Sequence, residues 1–429
     1  MDIRRLDTRS SAIPTIAAQL RPPIDEAFAE EMRSVEEILR RVRTRGDAAV
    51  LDYVRQFDTP GMTLGDLEVT PDEIDDAFRE TDDSLVEAVR TACENVRRFH
   101  AYRLPESWSF ERDGVTLGQR YRALNRVGVY VPGGTPLPSS VYMGAVPARV
   151  AGVREVIVAT PAGRDGRLHP LVLVAARLAG VDRVFKIGSA WAVGAMAFGT
   201  ERVPRVDKVV GPGNIYVLLA KRAVFGYVGI ESLPGPSDVL VIADEQQDPA
   251  YVAADMLSQA EHGAESSAVL VTPSATLIDR VAEQLATQLA ALPRREQAAL
   301  SLARRGALVL CRDLAEAADV ANAVAPEHLE ILVEDEPEVV VDRIENAGAI
   351  FVGRYTPEPL GDYIAGPSHI LPTEGTSRFA SPLSVDDFLK KSSVLRYSKA
   401  AFGRAAEQTM ALAEAEGLDA HARSVRVRL

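Results

Sequence analysis

From residue 127 onward the chain alternates short apolar runs with glycine-containing turns and helical stretches, and this alternation restricts it to one fold class. VGVYVPGG (127–134), EVIVATPAG (155–163) and DRVFKIGSA (182–190) each read as a strand, the last two separated by the helical PLVLVAARLAG. VLVIAD (239–244), AVLVTP (268–273), ALVLC (307–311) and AIFVG (349–353) continue the series. Strand, turn and helix in succession build βαβ units and a parallel sheet. Runs this rich in β-branched residues suit strands covered on both faces. The expected fold is α/β with two parallel-sheet units, one around residues 130–238 and one using the strands from 239 onward. Residues 25–57 and 71–103 carry helical periodicity, the first with a break at Gly46 and the second starting at Pro71 with acids in its first turns. From residue 382 the chain turns helical again and ends in the alternating SVRVRL.

Composition narrows the function classes. The 429 residues exceed what one small core requires. The net charge of −13, from 61 acids against 48 bases, gives a field that repels polyanions, so no nucleic-acid partner is expected. Arg40, Arg41, Arg43 and Arg45 interleave with Glu36, Glu37 and Asp47 and read as a solvated helix face. No apolar run approaches the ~18 residues of a membrane helix. The opening segment carries Asp2 and Asp7 and no long apolar stretch, so no secretory signal is expected and the cytoplasm is the expected location. Cys93 and Cys311 lack a CxxC partner and read as buried thiols.

Histidine is scarce, with six in the chain, and four of them, His262, His328, His369 and His421, lie beyond residue 260. In SQAEHG, Gln259 and His262 are three residues apart, which on a helix puts both on one face. The pair suits either a divalent ion or a plain polar helix end closed by Gly263. APEHLEI sets Glu327 beside His328: in a loop the two can converge as a general acid/base pair, whereas in a strand they would point to opposite faces. GDYIAGPSHILPT (361–373) offers Asp362 for a cation and His369 for a substrate in a rigid loop, or else a structural turn. EGLDAH adds Glu416 and His421 close to the end of the chain, a placement that makes sense if the tail reaches another subunit's site. VVGPGNIYV (209–217) lacks the spacing of a GxGxxG fingerprint, and LPGPSDVLVIAD (233–244) offers Ser237 and Asp238 at a strand entrance.

Taken together, VGVYVPGG, FGTERVPRVDKVVGPGN, GPSDVLVIAD, SQAEHG, APEHLEI, GDYIAGPSHILPT and EGLDAH occur in the order found in histidinol dehydrogenases. The chain resembles that family over nearly its whole length. The resemblance implies two incomplete Rossmann-like parallel-sheet units with helical N-terminal and C-terminal extensions. Residues 1–25 would form the N-terminal extension, 26–129 with 239–381 a discontinuous first α/β domain, 130–238 the second Rossmann-like domain, and 382–429 a helical tail reaching the partner subunit. It implies oxidation of L-histidinol to L-histidine through L-histidinal, a four-electron reaction of histidine biosynthesis using NAD and one zinc ion per subunit of a homodimer with shared active sites.

Carried over position by position, the resemblance makes Gln259, His262, Asp362 and His421 of the other subunit the zinc ligands. Glu327 and His328 become the catalytic acid/base pair. Ser237, His369 and Glu416 join the ligands and His328 in holding the substrate, and Tyr130, Trp191 and Asn214 fall at positions that contact NAD. Four departures stand out. GGTPLPSS lacks the tyrosine usual before its proline, Trp191 replaces a glutamine, Glu231 an aspartate, and Asp238 a glutamate. Two other readings compete: a zinc/NAD dehydrogenase acting on another polar alcohol, and a non-catalytic binding protein on the same scaffold, against which the intact Glu327–His328 pair argues.

Overall fold

Six parallel strands build the larger sheet, in the order Arg4–Asp7, Ala307–Leu310, Ser267–Thr272, Asp238–Ala243, His328–Leu332, Ala349–Val352. The computed structural model describes residues 3–21, 28–233 and 235–429. A second, five-stranded parallel sheet runs in the order Arg183–Phe185, Glu155–Ala159, Arg126–Tyr130, Lys208–Val210, Gly229–Ile230. Both sheets are sandwiched by helices, and their inner strands are almost wholly buried, as the β-branched runs require. No described helix is long and apolar enough to cross a membrane.

Packing corrects the expected domain boundaries. The helix Ala29–Arg45 buries Val35, Ile38, Leu39 and Val42, a stripe at helical spacing, in the same core as Val127, Val129 and Ile157 of the five-stranded sheet. Burying each such side chain contributes about 1.5–3 kcal/mol, so the nearest apolar surface decides the partner. That surface is the helix Ser189–Phe198, where Gly194 leaves room for Leu39 and Val42. Asp83–Ala101 joins the same core through Val89, Ala92, Cys93 and Val96. The helices within 29–101 thus belong with the five-stranded unit, not with the strands after 239. The N-terminal segment is no appendage either: Arg4–Asp7 pairs with Ala307–Leu310, and Ile16, Ala17 and Leu20 of the helix Ile13–Leu20 enter the six-stranded unit's core. Residues 22–27, which straddle the expected boundary, lie outside the described residues.

The tail also differs from a purely helical extension. Leu389–Tyr397 pairs antiparallel with Val115–Ala123, which pairs with Trp108–Arg112. SVRVRL finds no sheet edge; Asp419–Arg426 is helical, buries Ala422 and ties Arg426 to Glu414 at 2.6 Å. The helix Lys399–Ala415 packs on that helix and on Leu389–Tyr397. Trp108, Phe110, Leu395, Leu412 and Val427 stay exposed on this three-stranded unit and its helices.

Candidate active site

Alternation along two neighbouring strands creates the centre. His328 and Glu330, two apart, point to one face of the sheet, and the register sets them beside Val239 and Val241. That face is covered by the helix Pro249–Ala260, whose Asp255 and Gln259 lie one turn apart on the sheet-facing side. A polar stripe on the helix therefore meets a polar stripe on the sheet inside an apolar layer. Gln259 is 0% exposed, and neither its Oε1 nor its Nε2 has a hydrogen-bond partner. Leaving a buried amide unpaired costs about 1–3 kcal/mol per group, so such a side chain marks a place where something else binds.

His328 is fixed in one tautomer. Its ring Nδ1 lies 3.0 Å from the carbonyl oxygen of Asp238, which can only accept, so Nδ1 carries the proton and Nε2 is bare. Nε2 has no hydrogen-bond partner and sits 3.7 Å from Glu358 Oε1 and 3.9 Å from Asp362 Oδ1. Burial lowers its pKa to about 4, so the imidazole is neutral at pH 7. Glu358 and Asp362 share one face of the short helix Glu358–Tyr363, and with His328 they offer ligand atoms all within 4.8 Å of one another. His369 repeats the arrangement: Nδ1 donates to the Asp362 carbonyl at 3.1 Å, while Nε2 accepts from the Ser140 hydroxyl at 3.4 Å.

Glu327 lies just before the strand, so its side chain is not held to the opposite face. Its Oε2 accepts the Asp238 N–H at 3.0 Å, and its own N–H donates to Asp238 Oδ1 at 2.9 Å. Burial, reinforced by the Asp238 charge, raises its pKa well above the carboxylate range. The Ser237 hydroxyl faces the same carboxyl. Behind this pair, burial raises Glu330 and Glu358 to about 9, with Asp255 and Asp362 as their respective acidic neighbours.

The segment bearing Asp362 and His369 is held by the other unit. Tyr142 donates its hydroxyl to the Tyr363 carbonyl at 2.8 Å, and Asn95 its amide to the Ile364 carbonyl at 2.8 Å. The centre therefore lies where the two units meet. His262 stands exposed just past the end of its helix, its N–H on the Gln259 carbonyl, with its ring outside the His328–Glu358–Asp362 cluster. Glu416, in the turn between the tail helices, and His421, on the last of them, are exposed and apart from that cluster. Sequence reasoning missed Asp255, Glu330 and Glu358. Glu330 was visible as the one charge inside HLEIL, and Glu358 as an acid four residues before Asp362.

A cavity of about 1220 Å³ opens at the carboxyl end of the five-stranded sheet, the usual position for a nucleotide in parallel α/β folds. Tyr130, Trp191 and Asn214 all line it. Tyr130 ends its strand and its hydroxyl accepts the Ser189 N–H at 3.1 Å; burial raises its pKa to about 12. Asn214 Oδ1 caps the helix Ile215–Val224, accepting from Tyr216 and Val217 N–H groups. Trp191 is 5% exposed, and its indole stacks on Tyr53 and Phe57, each with ring centroids 5.5 Å away. Little of that ring is left to stack on a bound cofactor. Tyr53 ends an α-helix that passes into a π-helical turn, Val54–Asp58, carrying Phe57, and the Asp58 carboxyl, raised by burial to about 6, faces the indole.

The sequence model of the histidinol dehydrogenase family matches residues 23–429. The histidinol dehydrogenase of Moorella thermoacetica is 54% identical over 396 residues, covering 92% of this chain and 93% of that protein. That of Heliobacterium mobile is 52% identical over 397 residues, with the same coverage, and that of Bacillus subtilis 48% over 411 residues, covering 95% and 96%. The crystal structure of histidinol dehydrogenase from Elizabethkingia anophelis superposes with a TM-score of 0.93 at 34% identity, covering 99% of this chain and 98% of that one.

Proposed function

Because the chain belongs to the histidinol dehydrogenase family, an oxidoreductase family of histidine biosynthesis, we propose that it oxidises L-histidinol to L-histidine through L-histidinal. Two NAD molecules are reduced and one water consumed per turnover. The observation that carries this reading is the bare, neutral Nε2 of His328, held beside Asp362 and Glu358 on the face covered by the unpartnered Gln259 amide.

A divalent ion fits here: the buried Gln259 amide has both polar atoms free, and the Asp362 carboxylate lies in the same cluster of potential ligand atoms. We assign zinc to Gln259, His262, Asp362 and the His421 of a second copy. Zinc would anchor the substrate imidazole and amine, and NAD would accept a hydride at each oxidation. His328 Nε2 takes the hydroxyl proton as the alcohol carbon loses hydride. Glu327 then takes a proton from the water that adds to the aldehyde, and the hydrate loses the second hydride. Ser237, His369 and Glu416 hold the substrate, and the cleft at Tyr130, Trp191 and Asn214 takes NAD.

The homodimer with shared sites is supported by the exposed Leu412 and Val427 on the tail and by Glu416 and His421 facing outward. The free thiols Cys93 and Cys311 suit a reducing compartment, and we assign the enzyme to the cytoplasm. NADH formation with a panel of alcohols tests the reaction. L-histidinol should be the preferred substrate, with two NADH formed per histidine; equal use of unrelated polar alcohols would overturn the assignment.

A further inference from the structure

We propose that Asp238 is a positioning residue that aligns both members of the acid/base pair, an inference resting on the roles given to Glu327 and His328 above. Asp238 opens its strand, and Val239 is in register with His328 on the neighbouring strand. An ordinary strand neighbour supplies only its peptide groups to the ladder. Asp238 supplies three contacts to two consecutive residues. Its N–H holds the Glu327 carboxylate at 3.0 Å, its carbonyl fixes the His328 Nδ1–H at 3.0 Å, and its Oδ1 takes the Glu327 backbone N–H at 2.9 Å. The first two need only backbone. The third needs a side-chain acceptor of this length, and it fixes the backbone N–H of Glu327, the residue that leads directly into His328.

Reach explains why the residue type matters. The side-chain oxygen must return across the strand gap to residue 327 while the same residue's N–H meets the Glu327 side chain, closing a reciprocal ring between residues 89 apart in sequence. Gly348 packs against this ring, because a Cβ there would meet the Glu327 carbonyl at 2.5 Å. The backbone of Glu327 is thus confined at both its N–H and its carbonyl. Loss of one constraint lets the pair drift, and misplacement by about 1 Å can cost on the order of 10²-fold in rate.

The test compares Asp238→Ala, which loses the side-chain acceptor but keeps both peptide contacts, with Asp238→Asn, which retains an oxygen at the same reach. Alcohol and aldehyde half-reactions are assayed separately, with bound zinc and thermal stability measured on each sample. Asp238→Ala should lower kcat of both half-reactions by about 10- to 100-fold with KM for the alcohol little changed. Asp238→Asn should recover most of that kcat at neutral pH. Wild-type kcat in Asp238→Ala, or an Asp238→Asn as slow as Asp238→Ala, overturns the proposal. If Asp238→Ala does not fold, Asp238→Ser, whose hydroxyl is too short to reach the Glu327 N–H, replaces it with the same two outcomes. Glu327→Gln and His328→Asn are assayed alongside. If both keep full activity, the acid/base reading itself fails; if both are impaired while Asp238→Ala is not, only the positioning role fails.

Discussion

Lys221 and Glu231 form an ion pair of 2.6 Å in the interior, with the lysine 0% exposed, and both also grip Gly211. Glu231 Oε1 accepts the Gly211 N–H at 2.8 Å, and Lys221 Nζ donates to the Gly211 carbonyl at 3.1 Å. Gly211 opens the G-P-G-N turn with a φ of +115° and passes so close to the Tyr130 carbonyl that a side chain would collide with it. The pair thus fixes the loop that presents Asn214 to the cleft. Removing one partner leaves a buried charge uncompensated, so Lys221→Met should cost about 3–5 kcal/mol. The double variant Lys221→Met with Glu231→Leu should recover much of that stability while raising KM for NAD, because Gly211 is no longer held. Denaturant unfolding and NAD kinetics on the three proteins check this; a double variant as unstable as the single one refutes it.

Gln259 gives a prediction in which stability and activity part. Its buried amide has no hydrogen-bond partner among the described residues, so Gln259→Leu, of similar volume, should leave the stability of the apo-protein undiminished. The same change should abolish zinc retention and turnover. Chelation of the wild-type enzyme should likewise stop turnover, and added zinc should restore it. A metal-stripped sample with full activity would remove zinc from the mechanism.

Shared sites can be tested by complementation. Inactive His421→Ala chains mixed with inactive Glu327→Ala chains should regain activity, because one site of each hybrid combines an intact Glu327 with an intact His421 from its partner. Random pairing of equal amounts in a two-fold dimer restores about a quarter of all sites. No recovery after confirmed subunit exchange places His421 in its own chain's site.

Much of this was legible in the sequence, for identifiable reasons. Strands such as 239–244 and 268–273 announce themselves because burial on both faces demands uninterrupted apolar residues. The motif singled out Glu327 and His328, which the fold buries side by side. The acids Asp255, Glu330 and Glu358 were not legible, because their meaning arises only when the helix Pro249–Ala260 settles on the sheet. The antiparallel sheet was hidden for a different reason. Its strands Val115–Ala123 and Leu389–Tyr397 are far apart in sequence, the first mostly half-buried and the second largely exposed, so neither carries a buried-strand pattern. The packing of residues 29–101 depends on which sheet lies closer, and periodicity carries no such information.

The pH dependence of aldehyde oxidation should report Glu327. Burial, reinforced by the neighbouring Asp238 charge, raises its pKa, so it keeps its proton to higher pH than an ordinary carboxylate and must ionise to take the water proton. Activity should therefore rise with pH on a limb well above the ordinary carboxylate range. His328, lowered to about 4, is already neutral there and adds no limb of its own. Asp238→Asn removes a negative neighbour, so Glu327 should ionise more readily and the limb should move to lower pH. In Glu327→Gln the residual rate should lose the limb; an unchanged midpoint in that variant means another group is titrating.

Trp191, which replaces a glutamine, falls at a position expected to contact NAD. In the fold its indole lies against Tyr53 and Phe57, and the ring is 5% exposed. Its large effect should therefore be on the fold. Replacing a buried aromatic by a smaller side chain costs about 3–5 kcal/mol for truncation to alanine, and a glutamine fills part of the space but brings a polar amide inside. Trp191→Gln should thus lower stability by about 2–4 kcal/mol and free Tyr53 and Phe57 at the wall of the cleft. Since Phe57 is already exposed at 57%, the loosened wall should raise KM for NAD as a secondary effect, leaving kcat nearly unchanged. Trp191→Phe keeps a ring in the stack and should restore both quantities most of the way. A Trp191→Gln enzyme with unchanged melting temperature and an altered KM for NAD would mean that the indole contacts the cofactor directly and that the intramolecular stack matters little.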